Sequence, residues 1–325
     1  MDWYEPLVPL GAGFGFAVCL GYLLIPWLGR LGWGQHIRAE GPASHQKKRG
    51  TPTMGGIVFI LGTLMALGVA HAVSDTRLSI EESLVVGLML SYGLIGFLDD
   101  YLKVRRARNL GLRARQKLAM QILMASAFVW FFVEESWVVI PFSGYRLELG
   151  VLYPVLSVLL IVGMGNGVNL TDGLDGLASG VVAVGLLGYS VVARQSAAVF
   201  GVDVTLVALG GAGSVLGFLV HNRHPARVFM GDVGSLALGG LLSGLAIATK
   251  AETLLIFFAA IPIIEDLSVM LQVASFKITG KRILKMSPLH HHFELSGWRE
   301  TAIVRVFWLA AFLFAVMGLV AMAWV

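Results

Sequence analysis

Three groups of aspartates supply carboxylates, the type of side chain that a hard metal ion prefers as a ligand. Asp99 and Asp100 are adjacent in GFLDDYLKV, and Asp232 stands between small residues in MGDVGS. Asp172 and Asp175 are three residues apart in NLTDGLDGLA, so they share a helix face if that segment is helical. The glycines around Asp232 let a backbone or a phosphate approach closely. Clustered carboxylates favour Mg²⁺ bound through one or two of them and through substrate phosphates.

The adjacent positions of Asp99 and Asp100 predict different roles for the two carboxylates. Neighbouring side chains on a helix diverge by about 100°. Asp99 and Asp100 are therefore expected to act separately, one as a metal ligand and the other in a second role. Both could hardly hold the same ion.

Basic residues in neighbouring segments supply the opposite charge. They are Lys47, Lys48, Arg115 and Lys117. Transfer of a phosphate group between two anionic reactants requires cations that offset the charge of both. The pattern thus predicts phosphate chemistry. The basic run 103–108 is interpreted differently, as a topology signal that contacts anionic lipid.

Two more polar features interrupt the C-terminal part of the chain. Three consecutive histidines occupy 290–292, and because they cannot all face one point, adventitious metal binding is the alternative reading. Glu265 and Asp266 lie inside an apolar run, where a carboxylate costs about 2.5–3.5 kcal/mol and usually faces a cavity. Pro262 just before them predicts a kinked or broken helix.

The elements that must position these residues are transmembrane helices. The chain has 325 residues, of which 57% are hydrophobic and only 14% charged. Soluble domains carry roughly 25% charged residues, and 40 glycines suit closely packed membrane helices. Cys19 is the single cysteine, which excludes a disulfide framework or a cysteine metal cluster. The N-terminus lacks a basic region, so no cleaved signal peptide is expected.

Ten segments are apolar enough to predict spans of an all-α polytopic membrane protein, since about 20 apolar residues cross a bilayer. The segments are 7–28, 53–72, 83–98, 118–133, 149–165, 176–193, 204–220, 235–249, 254–273 and 303–323.

Basic residues set the orientation. With both termini outside, 20 of the 24 lysines and arginines fall on the inner side, as the positive-inside rule requires. The net charge of +4 then reflects a basic inner face and not a nucleic-acid patch. Each polar motif alone has an ordinary explanation, such as a solvated helix cap or a glycine turn. All of them fall on this one face, which predicts one composite site at the inner membrane surface.

Five motifs, in order and context, carry a family resemblance: GTPTMGG, GFLDDYLKV, NLTDGLDGLA, FMGDVGSLALGG and PLHHHFE. They resemble the phospho-N-acetylmuramoyl-pentapeptide transferase family, bacterial translocases that make lipid I. That family belongs to the polyprenyl-phosphate N-acetylhexosamine-1-phosphate transferase superfamily. The match runs from about residue 35 to about residue 305.

The resemblance implies ten transmembrane helices, a homodimer and an active site on the cytoplasmic side of the bacterial inner membrane. It also implies a Mg²⁺-dependent reaction in the first membrane step of peptidoglycan synthesis. UDP-N-acetylmuramoyl-pentapeptide and undecaprenyl phosphate would give lipid I and UMP. The chain is accordingly expected to be a single integral-membrane domain, 1–325, in a lipid bilayer and without nucleic acid as a partner.

The same resemblance implies residue roles. Asp99 is expected to deprotonate the lipid phosphate, Asp232 to ligate Mg²⁺, and the triple histidine to place the sugar-phosphate. The residues expected to be catalytic are Asp99, Asp100, Asp232 and His290. Those expected to bind substrate are Lys48, Arg115, Lys117, Asn169, Asp172, Gly173, Leu174, Asp175, Asn222, Phe229, His291 and His292. In the family a hydroxyl residue often follows the ninth-helix glutamate, whereas here Asp266 follows Glu265, and neither receives a role.

Alternatives remain open at this point. A sister enzyme would use UDP-N-acetylglucosamine, although PLHHHFE and GTPTMGG favour the muramoyl-pentapeptide branch. An ion-coupled transporter would suit Glu265 and Asp266 in a broken span, but transporter sites lie near the midplane between repeats. No inverted repeat is apparent. Within the transferase reading, direct attack and a covalent aspartyl-phosphate route are both open.

Overall fold

The described part of the chain is mainly α-helical. A computed structural model describes residues 7–31, 48, 50–106, 111–132 and 135–323. The helices are α1 (Leu7–Arg30), α2 (Gly56–Ser74), α3 (Ile80–Arg105), α4 (Ala114–Phe132), α5 (Leu152–Thr171), α6 (Leu177–Phe200), α7 (Thr205–Asn222), α8 (Gly231–Ala248), α9 (Leu255–Phe258), α10 (Ala260–Thr279), α11 (Leu289–Glu294) and α12 (Glu300–Met322). A 3₁₀ turn, Glu252–Leu254, precedes α9.

The helices confirm a multi-pass membrane protein. Each of the ten predicted segments falls largely within a helix. Among the described residues, eight helices are long and apolar enough to cross a membrane, or nine if α9 and α10 form one bent span. Helix α4 is not among them because its first two turns, ARQKLAMQ, are half polar. The span number of ten and the outward placement of both termini stay predictions.

The expected break near Pro262 is present. The helical segments Glu252–Phe258 and Ala260–Thr279 meet at an angle of 87°. The bend falls at Ala259, which leaves Pro262 in the first turn of α10, where its missing N–H has no intrahelical partner to lose. Glu265 follows within α10 and is completely buried.

Helix α3 carries the adjacent aspartates because of how it begins and ends. Ser79 and Glu82 form a reciprocal capping box, in which the Glu82 N–H donates to Ser79 Oγ at 3.1 Å. Lys103 and Arg105 in the last turn oppose the negative end of the helix dipole. Asp99 and Asp100 therefore lie in the last two turns of a helix that is fixed at its other end.

Glycines bring the helices that hold the site into backbone contact. A Cβ on Gly96 of α3 would lie 2.1 Å from the carbonyl oxygen of Asp232 at the start of α8. One on Gly56 of α2 would lie 2.2 Å from Gly234 Cα, and one on Gly239 would lie 2.5 Å from Gly165 Cα of α5. Such small-residue contacts are how membrane helices approach closely. They gather α2, α3 and α5 around α8.

A short hairpin that the sequence did not predict lies at the other end of α8. Strands β1 (Trp137–Val139) and β2 (Arg146–Glu148) pair antiparallel. Lys250 anchors the hairpin, because its ammonium donates to the Glu135 carbonyl at 2.8 Å and lies 5.4 Å from the Trp137 ring centre. Burial lowers the pKa of Lys250 from its ordinary value.

Candidate active site

Three aspartates meet where the C-terminal part of α3 touches the start of α8. Asp99, Asp100 and Asp232 each offer one carboxylate oxygen, and these oxygens lie within 4.8 Å of one another. The N–H of Val233, one of the donors that a helix start leaves unpaired, donates to Asp100 Oδ2 at 3.2 Å. The structure thus brings together both members of the adjacent pair, whereas the helix geometry alone predicted that they act apart.

Gly231 makes this junction possible. Its φ of +73° lies in the left-handed region that favours glycine. A Cβ there would also lie only 2.5 Å from Asp100 Oδ2. The glycine before Asp232 is therefore required both for the turn into α8 and for the approach of the Asp100 carboxylate.

Two lysines and an asparagine surround the carboxylates. Lys103 Nζ lies 2.6 Å from Asp99 Oδ2, 3.4 Å from Asp100 Oδ1 and 3.0 Å from Asp232 Oδ2. Lys117 Nζ donates to Asp232 Oδ2 at 2.8 Å. The Asn169 amide donates to the other oxygen, Asp232 Oδ1, at 3.0 Å. Lys117 and Asn169 thus contact the aspartate cluster, and their role in substrate binding stays a prediction.

Lys103 is a site residue that the sequence analysis missed. It was assigned to a basic run that sets topology, yet its ammonium touches all three carboxylates. The signal was available in the spacing, because Lys103 is four residues after Asp99 and three after Asp100 on one helix.

Replacing Lys103 by glutamine is expected to lower kcat by about 10²-fold or more. The change removes a cation shared by three carboxylates, and loss of a single charge-stabilising donor costs roughly 10²–10³ in rate. Exposed Lys277 in the last turn of α10 provides the matched control, Lys277→Gln, which should retain wild-type turnover. Steady-state rates of UMP release, the reaction that the resemblance implies, measure both. Equal rates in the two variants would remove Lys103 from the site.

The NLTDGLDGLA segment is not helical where its aspartates lie. Helix α5 ends at Thr171 and α6 begins at Leu177, so Asp172 and Asp175 lie in a turn and do not share a helix face. Gly176, at φ +78°, starts α6, and its carbonyl accepts from Trp308 Nε1 at 3.1 Å. The two carboxylates consequently have different neighbours.

Asp172 faces the aspartate cluster. The pKa of its carboxyl is raised to about 7, mainly by burial and then by the negative charges of Asp232, Asp100 and Asp175, against the opposing effect of Lys48. An unpaired negative charge is therefore costly here until a cation or a donor joins it.

Asp172→Asn is expected to stabilise the fold at pH 8 in the presence of EDTA. Because the folded-state pKa is raised from 3.8 to about 7, the wild-type protein loses stability as the pH rises between these values. The gain should be about 1 kcal/mol or more at pH 8, since a tenfold change in proton affinity corresponds to about 1.4 kcal/mol. It should shrink at pH 5 and vanish near pH 4. Thermal unfolding in detergent measures it, with exposed Asp75→Asn as the control. A gain that does not depend on pH would contradict the assignment.

Asp175 belongs to a second cluster, with Lys48 and two residues that the sequence analysis did not single out. Lys48 Nζ lies 2.7 Å from Asp175 Oδ1 and 2.6 Å from Glu300 Oε1. His224 Nδ1 lies 3.0 Å from Asp175 Oδ2. Glu300 Oε1 also accepts the Asp175 N–H at 2.8 Å, which holds the turn against the start of α12. Glu300 and His224 meet Asp175 only through the fold, so the sequence carried no local signal for them.

Asn222 is the last residue of α7, and Phe229 lies on the loop between α7 and α8. The Asn222 amide is buried, accepts from Ser179 Oγ at 2.7 Å and donates to the Val228 carbonyl at 3.0 Å. Phe229 exchanges backbone hydrogen bonds with the GTPTMGG loop: its N–H donates to Pro52 and its carbonyl accepts from Gly55. Asn222 thus fixes the backbone next to Phe229, whose ring is half-buried.

The remaining predicted residues lie at different depths. Leu174 is buried, and Arg115 is exposed in the first turn of α4. Gly173 packs directly on the His290 ring, because a Cβ there would lie 2.2 Å from His290 Nε2. Lys47 lies outside the described residues.

The three histidines form part of α11 and face different partners, as their spacing predicted. His290 is 1% exposed and its Nδ1 lies 3.1 Å from Glu265 Oε1. His291 Nδ1 lies 2.7 Å from Glu294 Oε2, and His292 Nδ1 accepts the Lys285 N–H at 3.1 Å. Of the three, His290 is the one that packs against the 172–176 turn.

Comparison with known proteins identifies the family. A model described as Glycosyl transferase family 4 matches residues 83–250, and a Phospho-N-acetylmuramoyl-pentapeptide-transferase signature matches residues 48–60. Proteins named phospho-N-acetylmuramoyl-pentapeptide-transferase from Bacillus anthracis (strain A0248), Bacillus thuringiensis (strain Al Hakam) and Bacillus cereus (strain AH187) are each 48% identical over 323 residues, which is 98% of this chain and 98% of each relative. The chain belongs to the phospho-N-acetylmuramoyl-pentapeptide-transferase family.

This membership confirms the resemblance drawn from five motifs. The signature of the phospho-N-acetylmuramoyl-pentapeptide-transferase family begins at Lys48 and covers the loop that pairs with Phe229. The broader glycosyl transferase model runs from α3 to just beyond α8 and so contains all three clustered aspartates. Lys48 and the triple histidine lie outside that broader match.

Proposed function

We propose that the chain transfers phospho-N-acetylmuramoyl-pentapeptide from UDP-N-acetylmuramoyl-pentapeptide to undecaprenyl phosphate, giving lipid I and UMP. The observation that carries this proposal is the cluster of Asp99, Asp100 and Asp232 with two lysines, in a chain 48% identical along its length to transferases of that name. The setting is the bacterial cell membrane, with the site facing the cytoplasm. The chain acts there as one domain, 1–325, within a homodimer.

Mg²⁺ is the metal that the cluster fits. All three candidate ligands are carboxylates, the oxygen donors that a hard cation prefers, and the ammonium of Lys103 already lies among them. Asp232 would hold the ion with help from Asp99 or Asp100. Bound there, Mg²⁺ would offset the charge of the diphosphate oxygens.

The chain's own residues prepare the reacting groups. Asp99 is held in place by the Leu112 N–H, which donates to Oδ1 at 2.7 Å, and serves as the base that takes the proton from the lipid phosphate. An oxygen of that phosphate forms a bond to the sugar-linked phosphorus, and the bond from this phosphorus to the UMP oxygen breaks. Lys103 and Lys117 stabilise the charge on both reactants. The covalent aspartyl-phosphate route would use the same residues.

The nucleotide is proposed to bind along the 172–176 turn. Asp172, Gly173, Leu174 and Asp175 form its edge, with Phe229 beside the nucleobase. Asn222 contributes by holding the Phe229 loop, since its amide is occupied by Ser179 and Val228. Lys48 and Arg115 supply charge for the diphosphate, and the triple histidine lies on the sugar-phosphate side.

The test is UMP release by the purified protein in detergent. The assay contains UDP-N-acetylmuramoyl-pentapeptide and undecaprenyl phosphate, with Mg²⁺ in one arm and EDTA in the other. Release that requires the lipid phosphate and Mg²⁺ together is expected. Release without the lipid would indicate hydrolysis and contradict the transfer. Release only with UDP-N-acetylglucosamine would show that this nucleotide sugar is the substrate. Equal rates with Mg²⁺ and with EDTA would contradict the proposed metal requirement.

A further inference from the structure

Glu265 is a fully buried carboxylate without a role in the proposed chemistry. It lies in α10, is 0% exposed, and contacts three nitrogen atoms at the start of α11. Its Oε2 accepts the Leu289 N–H at 2.5 Å, and its Oε1 accepts the His290 N–H at 3.2 Å. The third nitrogen is Nδ1 of the His290 ring, 3.1 Å from Oε1. A buried carboxylate is tolerated only with such partners.

These contacts fix which nitrogen of His290 faces the site. An ionised carboxylate only accepts hydrogen bonds, so the Nδ1 that meets Glu265 carries a proton. Nε2 is then the nitrogen left to act on another group. Within the described part of the chain, Nε2 is buried and has no hydrogen-bond partner. It lies against Gly173 in the 172–176 turn, where a Cβ would be only 2.2 Å away.

The helix that carries Glu265 is itself fixed against the site. A Cβ on Gly167, four residues before the end of α5, would lie 2.9 Å from the Pro262 carbonyl oxygen in the first turn of α10. The helix that carries Glu265 thus packs closely against the helix that leads into the 172–176 turn.

We propose that Glu265 is the positioning residue of His290. It holds the ring with the Nδ1 proton donated to the carboxylate and presents Nε2, the ring's acceptor, to a hydroxyl of the substrate's sugar at the 172–176 turn. This inference rests on the proposed function, because it requires His290 to contact substrate. Glu265 itself does not touch the reacting atoms.

The experiment compares Glu265→Gln, Glu265→Asp, His290→Asn and the double variant Glu265→Gln/His290→Asn in the UMP-release assay. Glutamine keeps the shape but has one acceptor oxygen, so it cannot accept all three donors. Its kcat is expected to fall by between about 10-fold and 10⁴-fold, the range for carboxylates that orient functional histidines. The KM for the UDP substrate should change less than about threefold, since the loss is in orientation and not in uniform binding. Aspartate retains the carboxylate and should be faster than glutamine.

Non-additivity separates positioning from a structural role. If Glu265 acts through His290, the double variant should be no slower than His290→Asn alone. Asp266→Asn is the matched control, since it removes the neighbouring carboxylate on the same helix and should keep the wild-type kcat.

Each result has a defined meaning. Multiplied rate losses in the double variant, or a Glu265→Gln enzyme with wild-type kcat, would overturn the positioning role. Glutamine and aspartate variants with equal rates would also overturn it, and the aspartate variant keeps the test valid should glutamine prevent folding. Wild-type turnover by His290→Asn would show that His290 has no role at the site, and it would also overturn the positioning role of Glu265. The transfer reaction would still stand on UMP release by the unmodified protein.

Discussion

Asp232→Asn is expected to lower kcat by at least about 10³-fold while the protein remains folded. Asp232 is the carboxylate on which the site converges: Lys103, Lys117 and Asn169 all contact it. Asparagine keeps the shape but loses the charge that would hold Mg²⁺, and loss of a metal ligand at a phosphoryl-transfer centre removes much of the charge stabilisation. Asp100→Asn is expected to have a comparable effect. UMP release and thermal unfolding in the same detergent measure rate and folding separately.

The control for these variants is Asp75→Asn. Asp75 ends α2 in the left-handed conformation, with φ 51°, which asparagine tolerates well. It is exposed and distant in the fold from the cluster, so its variant should turn over at the wild-type rate. A folded Asp232→Asn protein with the activity of this control would exclude Asp232 as a metal ligand.

Gly96→Ala is expected to lower turnover by at least about 10²-fold and to lower the unfolding temperature. The new methyl group would lie 2.1 Å from the Asp232 carbonyl oxygen, 2.3 Å from its carbonyl carbon and 2.5 Å from Val233 N. All three are backbone atoms, so no flexible side chain can move aside and α3 must separate from α8. Overpacking of this kind costs typically about 1–3 kcal/mol. The separation also moves Asp99 and Asp100 away from Asp232.

The same helix contains a matched control. Gly87 is exposed, and a Cβ there would have no neighbour within 4 Å. Gly87→Ala adds the same methyl group and improves helix propensity, so it should leave both activity and unfolding temperature unchanged or slightly higher. Should the two alanine variants behave alike, the backbone contact between α3 and α8 would not control the site.

The sequence predicted the helices well because hydropathy is a property of each segment alone. Each of the ten apolar segments lies largely in a helix, and the break near Pro262 was expected from that residue. The hairpin at 137–148 was missed, since its strands are three residues each and carry no strong alternation. Its position depends on Lys250, far along the chain.

The sequence predicted which residues belong to the candidate site but not which residues contact each other there. Residue type singled out Asp99, Asp100 and Asp232, because clustered carboxylates suit a hard cation, and the family resemblance added His290. Their partners depend on distant contacts, such as Glu300 with Asp175 and Glu265 with His290, which no local spacing reveals. The condition for a shared helix face of Asp172 and Asp175 is not met, because one helix ends at Thr171 and the next begins at Leu177 after Gly176.

The glycine contacts around α8 also affect how this protein can evolve. At Gly96, Gly56 and Gly239 the neighbouring backbone leaves no space for a methyl group. Every missense mutation at such a position adds atoms, so none can be a conservative replacement, and substitutions there should be removed by selection whatever their polarity. Packing at these three positions therefore restricts changes in the spacing of the carboxylates. An inhibitor that depends on that spacing would meet few viable routes to resistance through these three residues.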